Sequence, residues 1–145
     1  MSKVENFLTR EEEQDIIEAI RKAELNTSGE IRIHLERDSK LEAFERAMEV
    51  FHFLKMDNTK QQNGVLIYVA IDAKTFVIYG DSGINNVVPD DFWDSTKDVI
   101  QSHFKAKRFK QGLIEGVLKA GEQLETHFPW VHGDSNELPN EISKG

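Results

Sequence analysis

The sequence predicts an α/β fold in which a small mixed β-sheet is covered by helices on both faces. Helical and strand periodicities follow one another along the chain in the order helix, strand, helix, strand, strand, helix, helix. The only strongly apolar stretch, residues 65–79, is rich in β-branched and aromatic residues, which favour strands. Because 145 residues can bury one core without disulfides and the chain has no cysteine, we expect a single domain.

The first predicted helix spans about residues 10–26. Thr9 and Glu12 have the spacing of a capping box, in which the hydroxyl and the carboxylate each accept a backbone N–H of the first turn. Apolar residues then recur at helical spacing, and residues 26–29 (NTSG) end the helix. The apolar residues are Ile16, Ile20 and Ala23, with Ile17 beside them.

The next segment, residues 30–36, predicts a half-buried strand because apolar and polar side chains alternate along it. The apolar positions are Ile31, Ile33 and Leu35, and the polar positions are Arg32, His34 and Glu36. A second capping box, Ser39 with Glu42, is expected to begin the next helix. The predicted apolar stripe of that helix is Phe44, Ala47, Met48 and Phe51.

Residues 65–71 form a continuous apolar run that is too short for an ordinary helix and is typical of a strand buried on both faces. Asp72 and Ala73 predict a tight turn into a third strand over about residues 74–79. Because a helix connects the first two strands, we expect those two to be parallel neighbours. The third strand then runs antiparallel to them.

Two helices are predicted in the C-terminal third. Pro89 followed by Asp90 and Asp91 is typical of a helix start, and the last helix is expected to end near Phe128 and Pro129. Residues 130–145 show no apolar period and are rich in Pro, Gly, Asn and Ser. We therefore predict a folded domain over residues 1–129 and a flexible tail over residues 130–145.

The net charge of −8 disfavours nucleic acid as a partner, because affinity for phosphate backbones depends on clustered Lys and Arg. No stretch approaches the roughly 20 apolar residues of a membrane span, and the N-terminus has no signal-peptide core. We therefore expect a cytoplasmic protein that is not inserted into a membrane. The five histidines lack metal-ligand spacing, which disfavours zinc.

Two loops rich in oxygen-bearing side chains, residues 56–64 (MDNTKQQNG) and 80–91 (GDSGINNVVPDD), flank the apolar stretch. A hairpin returns both loops to one edge of the sheet, beside Glu30. Calcium takes about 6–8 oxygen ligands from carboxylates, amides and carbonyls, so two such loops could surround it. The alternative interpretation is that these residues are ordinary turn formers and helix caps. The spacing is not that of an EF-hand, since Phe92 stands where the closing Glu belongs.

The order of these motifs from Phe7 to Pro129 resembles that of the TPM domain family. The matching segments are FLTREEEQDIIEAI, TSGEIRIHLE, NGVLIYVAIDAKTFVIYGDSGI and FKAKRFKQGLIEGVLKAGEQLETHFP. The resemblance implies a three-layer α/β/α sandwich. It also implies weak acid phosphatase activity, divalent metal binding, or auxiliary roles around membrane complexes. Many members have a signal peptide, a membrane anchor and a Gly-rich tail, so their absence here indicates a stand-alone form.

The predicted function is divalent-cation binding with a regulatory or auxiliary role. Calcium is the expected ion, magnesium is the alternative, and a protein partner of unassigned identity is compatible with this role. The predicted metal ligands are Asp81, Asp90, Asp91, Asp57 and Glu30. The alternative function is a weak metal-dependent acid phosphatase, for which no catalytic residue is assigned. Neither loop contains an Arg to hold a phosphate, which makes the enzyme the second choice.

Overall fold

The structure, a computed structural model, describes residues 3–130 and 140–145. Secondary structure accounts for most of these residues, and the elements follow one another closely along the chain. In chain order they are α1 (Lys3–Phe7), α2 (Arg10–Glu24), β1 (Glu30–Glu36), α3 (Ala43–Phe53), β2 (Gly64–Ala70), β3 (Thr75–Gly80), α4 (Ser82–Asn85), α5 (Asp94–Lys105), α6 (Phe109–His127) and β4 (Ser143–Lys144).

The sheet is mixed, with the strand order β3-β2-β1-β4. β1 is parallel to β2, and β3 is antiparallel to β2, which confirms the predicted pairing. The register pairs Glu30 with Gly64 and Val65 with Gly80. The starts of β1 and β2 and the end of β3 therefore lie side by side at one end of the sheet.

Helices cover both faces of the sheet, which confirms the predicted sandwich. Ile31, Ile33 and Leu35 of β1 pack into one core with apolar residues of α2, α5 and α6. Leu66 and Tyr68 of β2 pack into a second core with apolar residues of α3. The capping box of Thr9 and Glu12 is present at the start of α2.

The polar face of β1 is not solvated, contrary to the half-buried strand that was predicted. Arg32, His34 and Glu36 are all buried. Arg46 of α3 and Tyr68 of β2 both donate hydrogen bonds to Glu36, and Ser143 of β4 bonds His34. An alternating pattern reports which side chains share a face, and whether that face is covered depends on the neighbouring elements.

Two predicted helix starts are wrong. Glu42 itself is the N-cap of α3, since its carboxylate accepts the N–H groups of Phe44 and Glu45. The Ser39 hydroxyl instead accepts the N–H of Leu41 in the preceding loop. The segment from Asp90 to Trp93 forms turns, and α5 begins only at Asp94.

The predicted apolar stripe of α3 is only partly buried. Ala47 and Phe51 lie in the core, whereas Phe44 is 51% exposed and Met48 is 39% exposed. α3 is the one described helix on its face of the sheet and packs on β2 and β3, so its outer flank remains in solvent.

Part of the predicted flexible tail, residues 140–145, lies among the described residues, and the flexibility of the tail stays a prediction. Ser143 and Lys144 form β4, which pairs with His34 and Leu35 of β1. Residues 131–139, also assigned to that tail, lie outside the described residues. Among the helices that the structure describes, none combines the length and apolarity that crossing a membrane would require.

Candidate functional site

The end of the sheet holds two loops, residues 56–64 and 80–91, which we call the sheet-end loops. The N–H of Glu30 donates to the carbonyl of Asn63 at 3.3 Å, and the N–H of Asp81 donates to the carbonyl of Gly64 at 2.9 Å. Strand hydrogen bonding therefore continues into both loops, and it holds Asn63 and Asp81 at the end of the sheet.

The two sheet-end loops are in direct contact, as the sequence predicts. The Ser82 hydroxyl lies 2.8 Å from Oε1 of Gln62 and donates to it. At Gly83 the backbones are so close that an added Cβ would lie 2.1 Å from the carbonyl oxygen of Gln61 and 2.5 Å from that of Gln62. The sequence after Gly80 can approach the other loop only because position 83 has no side chain.

Asp81 is the most buried carboxylate of the two sheet-end loops. It is the N-cap of α4, and its Oδ1 accepts the N–H of Ser82 at 2.7 Å. The residue is 9% exposed, and its second oxygen, Oδ2, is buried without a hydrogen-bond partner among the described residues. A capping role uses one carboxylate oxygen and leaves the other available for a ligand.

Asn63 carries a second buried oxygen of the same kind. Its N–H donates to the hydroxyl of Thr59, and its Nδ2 donates to the hydroxyl of Ser28 at 3.3 Å. Oδ1 has no partner within the described part of the chain, and the residue is 1% exposed. An unpaired buried acceptor costs about 1–3 kcal/mol, which a bound cation or water would offset.

These two oxygens account for most of the unpaired buried polar groups. In residues 3–130 and 140–145, only one other buried side-chain atom lacks a partner, Nε of Arg32. Asn63 immediately precedes Gly64, whose carbonyl accepts the N–H of Asp81. One hydrogen bond therefore joins Asp81 to the residue that follows Asn63 in the other loop.

Glu30, another predicted ligand, is 3% exposed at the start of β1 and interacts with Glu24. Oε2 of Glu24 accepts the N–H of Ile31 at 2.9 Å. Burial raises the pKa of Glu24 to about 8; the Ile31 hydrogen bond opposes this rise, and the charge of Glu30 adds to it. The two carboxyl groups line a cleft of about 320 Å³ beside Trp130.

The other three predicted ligands lie on the loop surfaces. Asp57 is exposed and pairs with His52, with 3.2 Å between Oδ2 and Nδ1. Asp90 and Asp91 are exposed in the turn before α5. Within the described residues, no group of three or more His, Asp or Glu side chains is arranged so that it could hold a metal ion. The set of five ligands stays a prediction.

Asn63 and Glu24 were not among the predicted ligands. A sequence signal existed for Asn63, because it stands in the NG pair that opens β2. Glu24 has no such signal, since it is one of several acidic residues on α2 and only the fold buries it against Glu30.

Comparison with known proteins agrees with this architecture. The family model of the TPM domain matches residues 1–123. The BA42 protein of the psychrophilic bacterium Bizionia argentinensis, solved by NMR, is 66% identical over 100% of both chains, with a TM-score of 0.94.

Two more distant structures share the fold alone. The N-terminal domain of a P. gingivalis protein is 20% identical, with a TM-score of 0.68, and the match covers 84% of this chain and 79% of that one. The N-terminal domain of the Corynebacterium glutamicum protein cg2496 is 9% identical, with a TM-score of 0.65, and the match covers 89% and 79%. A search of curated proteins gave no match.

Proposed function

Since this chain belongs to the TPM domain family, we propose that the metal binding implied by the sequence resemblance resides at its sheet-end loops, with calcium as the ion and a regulatory or auxiliary role. The observation that carries the proposal is the pair of buried oxygens, Oδ1 of Asn63 and Oδ2 of Asp81, that have no partner in the described residues. Both belong to the amide and carboxylate classes that calcium prefers.

Asp81 supplies the negative charge in this proposal, and Asn63 supplies a neutral oxygen. The cap to Ser82 already orients the carboxylate of Asp81, so little side-chain entropy is lost when an ion binds. The exposed carboxylates of Asp57, Asp90 and Asp91 lie on the same two loops and add negative potential around the proposed site. Substitution of each of these three residues tests whether it contacts the ion directly.

Acid phosphatase activity rests on the family resemblance alone. No contact among the described residues favours it, and catalytic residues stay unassigned. The same ion would polarise a phosphate ester if the enzyme interpretation held, so hydrolysis of a generic phosphate ester belongs in the test. The cytoplasmic location also stays a prediction.

The proposal is tested by titrating the isotope-labelled protein with calcium and with magnesium and following the amide resonances by NMR. We expect calcium to shift resonances in residues 56–64 and 80–91, and magnesium to act more weakly. Asp81→Asn keeps the cap to Ser82 but removes the charge, so calcium affinity should fall by about tenfold or more. Asp72→Asn, at the opposite end of the sheet, is the matched control and should bind normally.

Single substitutions then decide which surface carboxylates are ligands. Asp57→Asn, Asp90→Asn and Asp91→Asn should each weaken binding if the predicted ligand set is correct, and a residue whose substitution has no effect is removed from it. If calcium moves no amide in either sheet-end loop, the proposal is wrong. Calcium-dependent hydrolysis near the ordinary enzyme range, about 10 per second, that Asp81→Asn abolishes would favour the phosphatase.

A further inference from the structure

A second surface lies along the free edge of β3, away from the sheet-end loops. The strand order leaves β3 at the edge of the sheet, and no described strand pairs with its outer side. A groove of about 670 Å³ follows this edge between α3 and α5. We call it the β3 groove; residues 74–78 form its floor.

The register shows which backbone groups face the β3 groove. The N–H of Asp81 bonds the carbonyl of Gly64, so alternate residues from Asp81 back through Thr75 direct their backbone groups toward β2. Phe76 and Ile78 therefore direct their N–H and C=O groups outward. The carbonyl of Gly80, in the same outward row, accepts Nδ2 of Asn85 at 3.1 Å, which caps this end of the edge.

The charge of the β3 groove is opposite to that of the molecule. Three lysines, Lys74, Lys97 and Lys105, line it, and no acidic residue among those described does so, although the net charge of the chain is −8. Lys97 and Lys105 lie on one face of α5 and are exposed. Lys74 lies over the ring of Phe109, with its Nζ 5.8 Å from the ring centroid.

The two flanks of the β3 groove differ in chemistry. Phe76 and Ile78 pack toward α5, where the ring centroids of Phe76 and Phe104 lie 5.5 Å apart. Val77 packs toward α3, where the ring of Phe44 is half exposed. The side chains of an added strand would alternate between the two flanks. One set would therefore contact the lysines and apolar side chains on the α5 flank, and the other set would contact Phe44.

We propose that the β3 groove binds an extended, acidic segment of a partner protein, which adds to the sheet as a strand beside β3. The segment alternates acidic and apolar residues, with the acidic side chains toward Lys97 and Lys105 and the apolar side chains toward Phe44. The outward N–H and C=O groups of Phe76 and Ile78 supply the main-chain hydrogen bonds. Two copies of this chain would place their lysine-lined edges against each other, which disfavours self-pairing through β3.

The probe is an acetylated and amidated heptapeptide of alternating Glu and Val, titrated into the labelled protein without calcium. We expect the largest amide shifts at Phe76 and Ile78, slower hydrogen exchange at both, and an affinity that falls as salt is added. The double substitution Lys97→Glu and Lys105→Glu should weaken binding by about tenfold or more. The matched double substitution Lys22→Glu and Lys40→Glu, which changes net charge equally at exposed sites outside the groove, should leave it unchanged.

Three results would overturn the proposal. One is the absence of peptide-induced shifts in residues 74–80. Another is equal binding of a heptapeptide of alternating Lys and Val, since the lysines would then select nothing. The third is a concentration dependence of the Phe76 and Ile78 resonances without peptide, which would assign the edge to a second copy of this chain. Calcium binding at the sheet-end loops is independent of each result.

Discussion

At the scale of single residues, one glycine and one partly buried carboxylic acid shape this end of the sheet. Gly83 allows the carbonyl oxygens of Gln61 and Gln62 to approach α4 closely. Burial beside Glu30 raises the pKa of Glu24 to about 8, which favours its protonated form near neutral pH. Neither residue is a predicted ligand, but Gly83 sets the spacing of the two loops and Glu24 lies beside Glu30, which is one.

Gly83→Ala should separate the sheet-end loops. Its Cβ would overlap two backbone carbonyls, which cannot rotate away as a side chain could, so we expect a loss of about 1–3 kcal/mol in the free energy of unfolding and weaker calcium binding. Urea denaturation measures the first effect. Gly80→Ala is the control, because its Cβ would have its nearest neighbour at 3.5 Å. Equal stability of the two variants would show that the loops are not held together as described.

Glu24→Gln should change how stability depends on pH. The pKa of Glu24 is about 8 in the folded chain, against an ordinary value of 4.5. Between these values the folded state holds more protons than the unfolded state, so the free energy of unfolding falls as pH rises. The variant lacks this loss and should be more stable than the parent by on the order of 1–3 kcal/mol at about pH 9, and similar to it at about pH 4.

Urea denaturation across this pH range measures the difference. Glu18→Gln, an exposed position on the same helix that pairs with Arg21, is the control and should follow the parent curve. Parallel curves for the parent and Glu24→Gln would contradict the assignment of a buried, protonated Glu24.

At the scale of elements, the pairing of β4 with β1 explains how a polar strand face is buried. Ser143 lies 2.9 Å from Nδ1 of His34, and the N–H of Gly145 donates to the carbonyl of Leu35. Burial opposes ionisation of Glu36, but hydrogen bonds from Arg46, Tyr68 and His34 outweigh it and lower its pKa to about 2. The polar face of β1 thus has partners on both α3 and the C-terminal segment.

Replacing residues 141–145 with Gly-Ser-Gly-Ser-Gly should destabilise the domain. The replacement removes the packing of Ile142, the bond from Ser143 to His34 and the pairing of Lys144 with Glu13 at 2.7 Å. We expect a loss of about 2–4 kcal/mol in the free energy of unfolding, measured by urea denaturation.

A single substitution isolates the contribution of the Ser143 side chain. Ser143→Ala should lose about 1 kcal/mol, whereas Ser39→Ala, whose hydroxyl accepts the N–H of Leu41 in an exposed loop, should lose less. An unchanged midpoint for the replaced segment would mean that β4 does not form in solution, and the predicted flexible tail would then extend over these residues.

At the scale of the whole molecule, charge is distributed unevenly. The chain carries 26 acidic and 18 basic residues, and a cation at the sheet-end loops would reduce the resulting self-repulsion. The β3 groove carries the opposite sign of charge, because three lysines line it. The two proposed surfaces therefore select ligands of opposite charge, and calcium should not compete with an acidic peptide for the same residues.

Calcium should raise the melting temperature of the whole domain. An ion that binds only the folded state stabilises it by roughly 2.7 kcal/mol at about a hundredfold excess over Kd. For a chain of this length that corresponds to a shift on the order of 5–10 °C. Differential scanning calorimetry measures it, sodium chloride at equal ionic strength is the control, and a chelator should reverse it. An equal shift with sodium chloride would indicate general screening instead of a site.

Much of the fold followed from local patterns. The continuous run of residues 65–71 predicted a strand buried on both faces, and β2 is buried throughout. Helical spacing after Thr9 predicted α2, and the short link at Asp72 predicted the hairpin of β2 and β3. These features depend on periodicity, capping and turn chemistry, which act between residues close in sequence, and so the sequence by itself determined them.

Only the tertiary structure decided what covers each face and which polar atoms are left without partners. The capping signals at Ser39 and Pro89 did not mark helix starts. Glu42 caps α3 instead, and the residues after Pro89 form turns before α5 begins. The unpaired oxygens of Asn63 and Asp81 and the raised pKa of Glu24 depend on burial by the packed elements. Burial and desolvation are properties of the packed assembly, so no local pattern encodes them.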